Sequence, residues 1–244
     1  MIKLGLIGSA GRMGSALREH LAGESDIALA ATLEDSEPLD AFTAARPDVA
    51  VDLSLGRGVD AHGPAIVEAG IPYIVGATGY SAATLKRLGE LAERTGTAVL
   101  VVPNFSLGAN LMIKFAAAAA RLMHTPVITE RHHLGKADAP SGTARFTAQR
   151  IAEALSGDVL HSRKYDETLH GVLGGSEHGV AIHSLRGEGY LAEQEVRLSL
   201  PGESLSIEHR SIDRRCFMPG IVYAIRNISK VRGLQIGLDT ILEA

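Results

Sequence analysis

The run Ile2-Lys3-Leu4-Gly5-Leu6-Ile7-Gly8-Ser9-Ala10-Gly11-Arg12-Met13-Gly14 decides how this chain folds. Ile2 to Ile7 is short and β-rich, and a glycine turn follows at once. Met13, Ala16, Leu17 and Leu21 then recur at helical spacing, which predicts an amphipathic helix to about Ala22. A second β-rich run, 27–33, ends in Glu34. Strand, glycine turn, helix and strand make a βαβ unit of the size that binds dinucleotides. Gly8, Gly11 and Gly14 form a variant of the G-x-G-x-x-G fingerprint, with Ser9 where its first glycine would fall. Such glycines give a tight turn, let backbone N–H groups approach a pyrophosphate, and let helix and strand pack closely. Glu34, 20 residues after Gly14, is placed to accept hydrogen bonds from ribose hydroxyls. Asp35 follows it, so a 2′-phosphate would meet two carboxylates. That charge pattern predicts NADH as the preferred coenzyme, with NADPH tolerated. The competing reading, a strand–helix turn that binds nothing, explains the glycines but not the acid at the next strand end.

Alternation continues beyond Glu34. Residues 36–47 read as a polar connection. Residues 49–54 read as a strand, 59–69 as a helix, and 73–75 as a strand ending in Gly76-Ala77-Thr78-Gly79. A helix over 81–95 precedes a strand over 98–102, which stops at Pro103-Asn104-Phe105-Ser106. This pattern predicts a parallel sheet whose ligands lie at the C-terminal ends of its strands. Gly8, Glu34, Ser54, Gly76 and Asn104 fall at such ends.

A long Ala-rich helix is expected over 107–123, then a strand over 127–133. That strand leads into the most chemically loaded stretch of the chain, Glu130-Arg131-His132-His133-Leu134-Gly135-Lys136-Ala137-Asp138-Ala139-Pro140-Ser141-Gly142-Thr143-Ala144. It combines two imidazoles, an ammonium and a helix start at Ser141 or Gly142, running to Leu155. Imidazole titrates near neutrality and suits proton transfer. The backbone N–H groups of Gly142 and Thr143, with the Ser141 and Thr143 hydroxyls, can cradle a carboxylate. Those hydroxyls serve equally well as ordinary helix caps. Adjacent His132 and His133 point to opposite sides of an extended chain, so they should not share a role. His132 and Lys136 could converge across the glycine turn. No metal is expected, because a third ligand at usual spacing is missing and Lys136 would repel a cation. His161, His170, His178 and His183 are scattered and read as non-functional. Beyond Gly179, runs over 180–186, 191–200 and 204–212 predict an antiparallel meander. A helix over 217–231 and a closing element over 236–242 return to the first domain.

The fold class that follows is α/β. A Rossmann-type parallel-sheet nucleotide domain over 1–104 is completed by 214–244. An α+β substrate-binding and oligomerisation domain over 105–213 carries a largely antiparallel sheet. Composition narrows the partners. The net charge of −4 argues against nucleic acid and anionic membrane, and aromatics at 4% without Trp argue against base stacking. One cysteine, Cys216, allows no intrachain disulfide, and no run approaches the length of a membrane span, so a cytoplasmic protein is expected.

The stretch from Glu130 to Ala144 resembles the signature of the dihydrodipicolinate reductase family, E-x-H-H-x-x-K-x-D-x-P-S-G-T-A. The motifs at 8–14, 76–79 and 104–106 are similar to that family's nucleotide loops, in the same order. The resemblance spans nearly the whole chain. It implies NAD(P)H-dependent reduction of 4-hydroxy-tetrahydrodipicolinate to tetrahydrodipicolinate, in the diaminopimelate route to lysine. It implies His132 and Lys136 as proton-transfer residues, and His133, Ser141, Gly142 and Thr143 as contacts to a small dicarboxylate. It implies Gly8, Ser9, Ala10, Gly11, Arg12, Met13, Glu34, Gly76, Ala77, Thr78, Val102, Pro103, Asn104 and Phe105 as coenzyme contacts, and a homotetramer. The chain departs from the pattern at Asp35, where NADPH users commonly carry a base, and at Leu55, Val127 and Gln194. Two alternatives stay open: a reductase of another cyclic imine acid, and an NAD-binding regulator without catalysis.

Overall fold

The computed structural model describes residues 1–34, 37–155 and 166–243. Asp35 and His161 lie outside the described residues. Two compact units result: Met1–Ser106 with Phe217–Glu243, and Leu107–Cys216.

The first unit is built on a six-stranded sheet. Its strands are β1 (Ile2–Ile7), β2 (Ile27–Leu33), β3 (Val49–Asp52), β4 (Tyr73–Val75), β5 (Val99–Val101) and β11 (Leu234–Ile236), in the order β11-β5-β4-β3-β1-β2. Every pairing is parallel. Helices α1 (Arg12–Leu21), α2 (Leu39–Ala44), α3 (Gly56–Glu68) and α4 (Ala82–Thr95) link consecutive strands, and α7 (Met218–Asn227) leads to β11. The order turns back at β1, which lies between β2 and β3, and that is where a doubly wound sheet opens to receive a ligand. Its strands are continuous apolar runs because both faces are covered; Leu4, Leu6, Val51, Ile74 and Leu100 are fully buried.

One expectation fails here. The 36–47 segment contains α2, in a stretch whose polarity hid it. Two apolar residues decide the matter, Leu39 and Phe42, three apart on one face. Phe42 is 2% exposed and its ring fills the space over Gly5 of β1, where a Cβ would lie 2.5 Å from it. A glycine in one element thus makes room for the anchor of another.

The second unit carries a five-stranded sheet in the order β10-β9-β6-β8-β7. Its strands are β6 (Val127–His132), β7 (Gly175–Glu177), β8 (Val180–Arg186), β9 (Ala192–Leu200) and β10 (Glu203–Ser211). Helices α5 (Leu107–Ala120) and α6 (Gly142–Ala154) complete its core. Ala116, Ala120, Ala144 and Ala148 are small enough for the two helices to approach closely over Ile128, Ile182, Val196 and Leu198.

The expected meander is corrected. Of the three expected runs, β9 and β10 pair as a hairpin but β8 and β9 do not; β8 pairs instead with β7 and with β6, β6 lies between β8 and β9, and β6 and β8 run parallel. The five residues 187–191 step over the intervening strand, a distance of about 10 Å that a short loop spans easily. The Gly187 N–H donates to the His132 carbonyl on the way, which fixes the crossing at the end of β6.

Candidate active site

In the first unit the predicted coenzyme residues gather at the C-terminal ends of parallel strands. Gly8 follows β1 with φ +76°, and a Cβ there would lie 2.9 Å from Ser54 Cα. Only glycine meets both demands. Ser54 is itself held by Asp52, a fully buried carboxylate at the end of β3. Asp52 accepts from the Ser54 N–H at 2.9 Å and hydroxyl at 2.6 Å, and from the Tyr73 hydroxyl at 2.6 Å. Burial, with the Asp52 charge, pushes the Tyr73 hydroxyl well above its usual range, so it stays a donor.

Glycines also shape the helix start. A Cβ on Gly14 would collide with the Gly8 carbonyl. α1 opens from Gly11 without a side-chain cap, and the N–H groups of Arg12, Met13 and Gly14 find no acceptor among the described residues. Open N–H groups at a helix start, on a backbone that side chains cannot crowd, fit a dinucleotide pyrophosphate. Glu34 lies beside them. Its Oε1 accepts from the Ser9 hydroxyl at 2.8 Å and the Ala10 N–H at 2.9 Å, while Oε2 has no partner among the described residues. Ser9, only 6% exposed, is therefore a strut between loop and acid.

The remaining predicted residues of this unit divide. Gly76 follows β4, and its N–H donates to the Asp52 carbonyl. The Phe105 ring packs on it, where a Cβ would lie 2.5 Å away. Thr78 and Pro103 are exposed at the same strand ends, and Ala77 is buried. Val102 and Phe105 are buried, at 1% and 4% exposure, so their side chains shape the edge from beneath. The Asn104 side-chain oxygen accepts from the Ser106 N–H at 2.9 Å and sets the turn after β5.

In the second unit β6 delivers the proton-transfer candidates. Glu130 and His132 are two apart on a strand and share a face. Glu130 is fully buried, and its Oε2 lies against His132 Nδ1; neither atom has another hydrogen-bonding partner among the described residues. The other oxygen, Oε1, accepts from Arg186 at 3.0 Å. Burial would raise the Glu130 carboxyl, but hydrogen bonds from His132, Ser184 and Arg186 outweigh it and hold the group at about 2. A permanent carboxylate on Nδ1 keeps a proton on that nitrogen and leaves Nε2 as the one that exchanges.

Lys136 makes no hydrogen bond to His132 among the described residues. Its ammonium bonds both oxygens of Asp138, at 2.8 and 2.9 Å, and holds that carboxyl below its ordinary value. Each proton-transfer candidate therefore has its own carboxylate. His133, just past the end of β6, is exposed. Ser141 caps α6: its hydroxyl accepts from the Ala144 N–H at 3.1 Å, and its side chain is 3% exposed. The cap reading thus holds for Ser141, whose own proton remains available to donate. The exposed Gly142 N–H has no acceptor among the described residues, while Thr143 is half-buried and its carbonyl accepts from the Thr147 hydroxyl. Thr147 in turn accepts from the Gln194 side-chain nitrogen at 2.7 Å.

Sequence reading missed Arg186, Ser184 and Gln194 as site residues. Ser184 and Gln194 flank Glu130 on neighbouring strands, and Arg186 pairs with His132. Glu130 could have been found from its spacing to His132. The others needed the pairing of β6 with β8 and β9.

Family models described as dihydrodipicolinate reductase N-terminus and C-terminus match residues 2–105 and 108–242. A 4-hydroxy-tetrahydrodipicolinate reductase of Nocardia farcinica is 40% identical over 246 residues, covering 99% of each chain. One of Beutenbergia cavernae is 40% identical over 245 residues, again with 99% of each covered. A dipicolinate-bound dihydrodipicolinate reductase from Paenisporosarcina sp. TG-14 superposes with a TM-score of 0.88 at 30% identity, over 99% of this chain and 100% of that one. The chain belongs to the dihydrodipicolinate reductase family.

Proposed function

We propose that the protein is a 4-hydroxy-tetrahydrodipicolinate reductase, an NAD(P)H-dependent oxidoreductase of lysine and diaminopimelate biosynthesis. The observation that carries this reading is His132 backed by the buried Glu130 carboxylate, ten residues before the open N–H of Gly142. In this reading the first unit binds the coenzyme, and the second binds substrate and makes the subunit contacts of a homotetramer. The protein acts in the cytoplasm.

The bound coenzyme supplies hydride to the substrate ring. The chain's residues hold the substrate and move protons. His132, with Nδ1 held by Glu130, gives the Nε2 proton to the electron-rich centre that reduction creates. Lys136 is the second donor and places a positive charge against a dicarboxylate. Gly142, at the positive end of α6, holds one carboxylate through its N–H, aided by the Ser141 and Thr143 hydroxyls and by His133. Around the coenzyme, the Arg12–Gly14 N–H groups hold the pyrophosphate, and the turns at 76–78 and 102–105 border the nicotinamide half.

NADH is the preferred coenzyme in this reading. Glu34 Oε1 is committed to the glycine loop; in this reading Oε2 accepts from a ribose hydroxyl pair, and a 2′-phosphate would be repelled by it. The test is turnover coupled to the synthase that makes the substrate, with NADH and NADPH oxidation followed separately. Turnover with a lower KM for NADH is expected. Absence of turnover with both coenzymes rejects the activity, and equal KM values reject the preference.

A further inference from the structure

Arg186 is used by none of the steps above, yet it bonds both the carboxylate behind His132 and the backbone of the turn that bears Lys136. It ends β8 directly beside His132 in the β6–β8 register. Its side chain is only 20% exposed, and its guanidinium makes four hydrogen bonds. One terminal nitrogen donates to Glu130 Oε1 at 3.0 Å and to the Leu185 carbonyl at 2.8 Å. Nε donates to the Lys136 carbonyl at 3.3 Å, and the other terminal nitrogen to the Asp138 carbonyl at 2.7 Å. One planar group thus joins the carboxylate behind His132 to the backbone of the turn that bears Lys136.

We propose that Arg186 is the positioning residue of this site, fixing the Glu130 carboxylate that aims His132 and, through two backbone carbonyls, the turn that presents Lys136. The assignment rests on the reductase reading for what those two residues do. Its physical basis is twofold. Glu130 is fully buried, and a buried carboxylate keeps its charge only while paired and hydrogen-bonded. Without Arg186 the carboxyl tends to take up a proton, and it then stops dictating which imidazole nitrogen carries hydrogen. Separately, residues 133–140 lie between β6 and α6 with one internal backbone bond, from the Lys136 N–H to the His133 carbonyl. The guanidinium adds two bonds that a lysine ammonium could not supply in the same fork while also meeting Glu130.

The two jobs can be separated experimentally. In protein labelled with 15N-histidine, two-bond proton–nitrogen spectra show which nitrogen of neutral His132 is protonated. Hydrogen exchange at 135–138 reports how firmly the turn is held. Arg186→Met should lose both the Nδ1–H tautomer and the exchange protection, and lower kcat by about 10- to 100-fold, the range seen when a group that orients a functional histidine is removed. Its NADH Kd should not change. Arg186→Lys, which returns a charge beside Glu130, should recover the tautomer but not the protection, with kcat in between. Glu130→Gln should do the reverse, losing the tautomer and keeping the turn. Wild-type kcat and tautomer in Arg186→Met overturn the proposal. If that variant does not fold, identical defects in Arg186→Lys and Glu130→Gln overturn it. Tautomer and exchange are read without substrate, so failure of the wild-type enzyme to reduce the proposed substrate strikes the functional reading alone.

Discussion

Two helix starts in this chain, each assigned to an anion in the proposed function, are built differently. α1 begins at Gly11 with no side-chain cap, and three N–H groups are left open. α6 begins at Ser141, whose hydroxyl caps the Ala144 N–H and leaves Gly142 open. The acids nearby differ in the same sense. Glu34 commits one oxygen to the glycine loop and presents the other, whereas Glu130 is sealed among His132, Ser184 and Arg186. The first unit offers bare backbone and a half-free carboxylate, which suits a large ligand that brings its own reactivity. The second keeps its helix capped and its acid buried against His132, so that the imidazole is aimed before any ligand arrives. Preorganisation of that kind is what proton transfer requires.

The largest effect should come from breaking the second arrangement at its tip. His132→Gln is expected to lower kcat by about 10²–10⁴, with NADH affinity unchanged in a fluorescence titration. Lys136→Ala should act in the same range, with a rise in substrate KM as well because it removes a positive charge. Near-normal kcat in both would mean that the sealed acid serves structure alone.

Next is the sealed acid itself. Its folded value, about 2, lies below the ordinary 4.5, so Glu130 contributes stability that is complete above pH 4.5. That contribution, at most roughly 3 kcal/mol, fades as pH falls toward 2. Urea unfolding of wild type and Glu130→Gln should therefore differ most at pH 6, and the gap should close by about 2 kcal/mol at pH 3. Parallel curves would show that the carboxylate is no better held in the folded chain than in the unfolded one.

How much of this contrast could be read beforehand follows from the range of each interaction. The parallel sheet, the glycine turn and the Glu130–His132 pairing are local, set by neighbours a few residues apart or by strict alternation. α2 was not legible because its reason lies in Gly5, over thirty residues upstream, where a missing Cβ admits Phe42. The place of β6 between β8 and β9 was not legible either, since the loop 187–191 reads as a hairpin turn whether or not a strand passes beneath it. Arg186 was lost with that pairing, 54 residues from His132. The strut formed by Ser9 was similarly hidden: its residue type fits a glycine-loop variant, and only the fold brings Glu34 to its hydroxyl.

Of the two helix starts, the capped one should be the more modest to disturb. Ser141→Ala removes the acceptor for the Ala144 N–H and should cost about 1 kcal/mol in unfolding free energy. If Ser141 also donates to the substrate, KM for the substrate rises while the KM for NADH stays constant. A stability loss without a KM change would leave it as a cap only, and the carboxylate would rest on Gly142 and Thr143.

The smallest effect should come from the strut in the first unit, and it tests whether that unit is as loosely arranged as it looks. Ser9→Ala leaves Glu34 Oε1 with the Ala10 N–H alone. The acid then turns more freely, and Oε2 is less often where a ribose hydroxyl would meet it. NADH should bind about two- to fivefold more weakly, the range of one modest hydrogen bond. NADPH, which gains from any outward swing of the carboxylate, should weaken less, so the ratio of the two Kd values should narrow. Parallel weakening of both would mean that the hydroxyl merely steadies the loop. An unchanged Kd for both would show that the Ala10 N–H holds Glu34 unaided, and the contrast between a sealed acid and a presented one would then rest on burial alone.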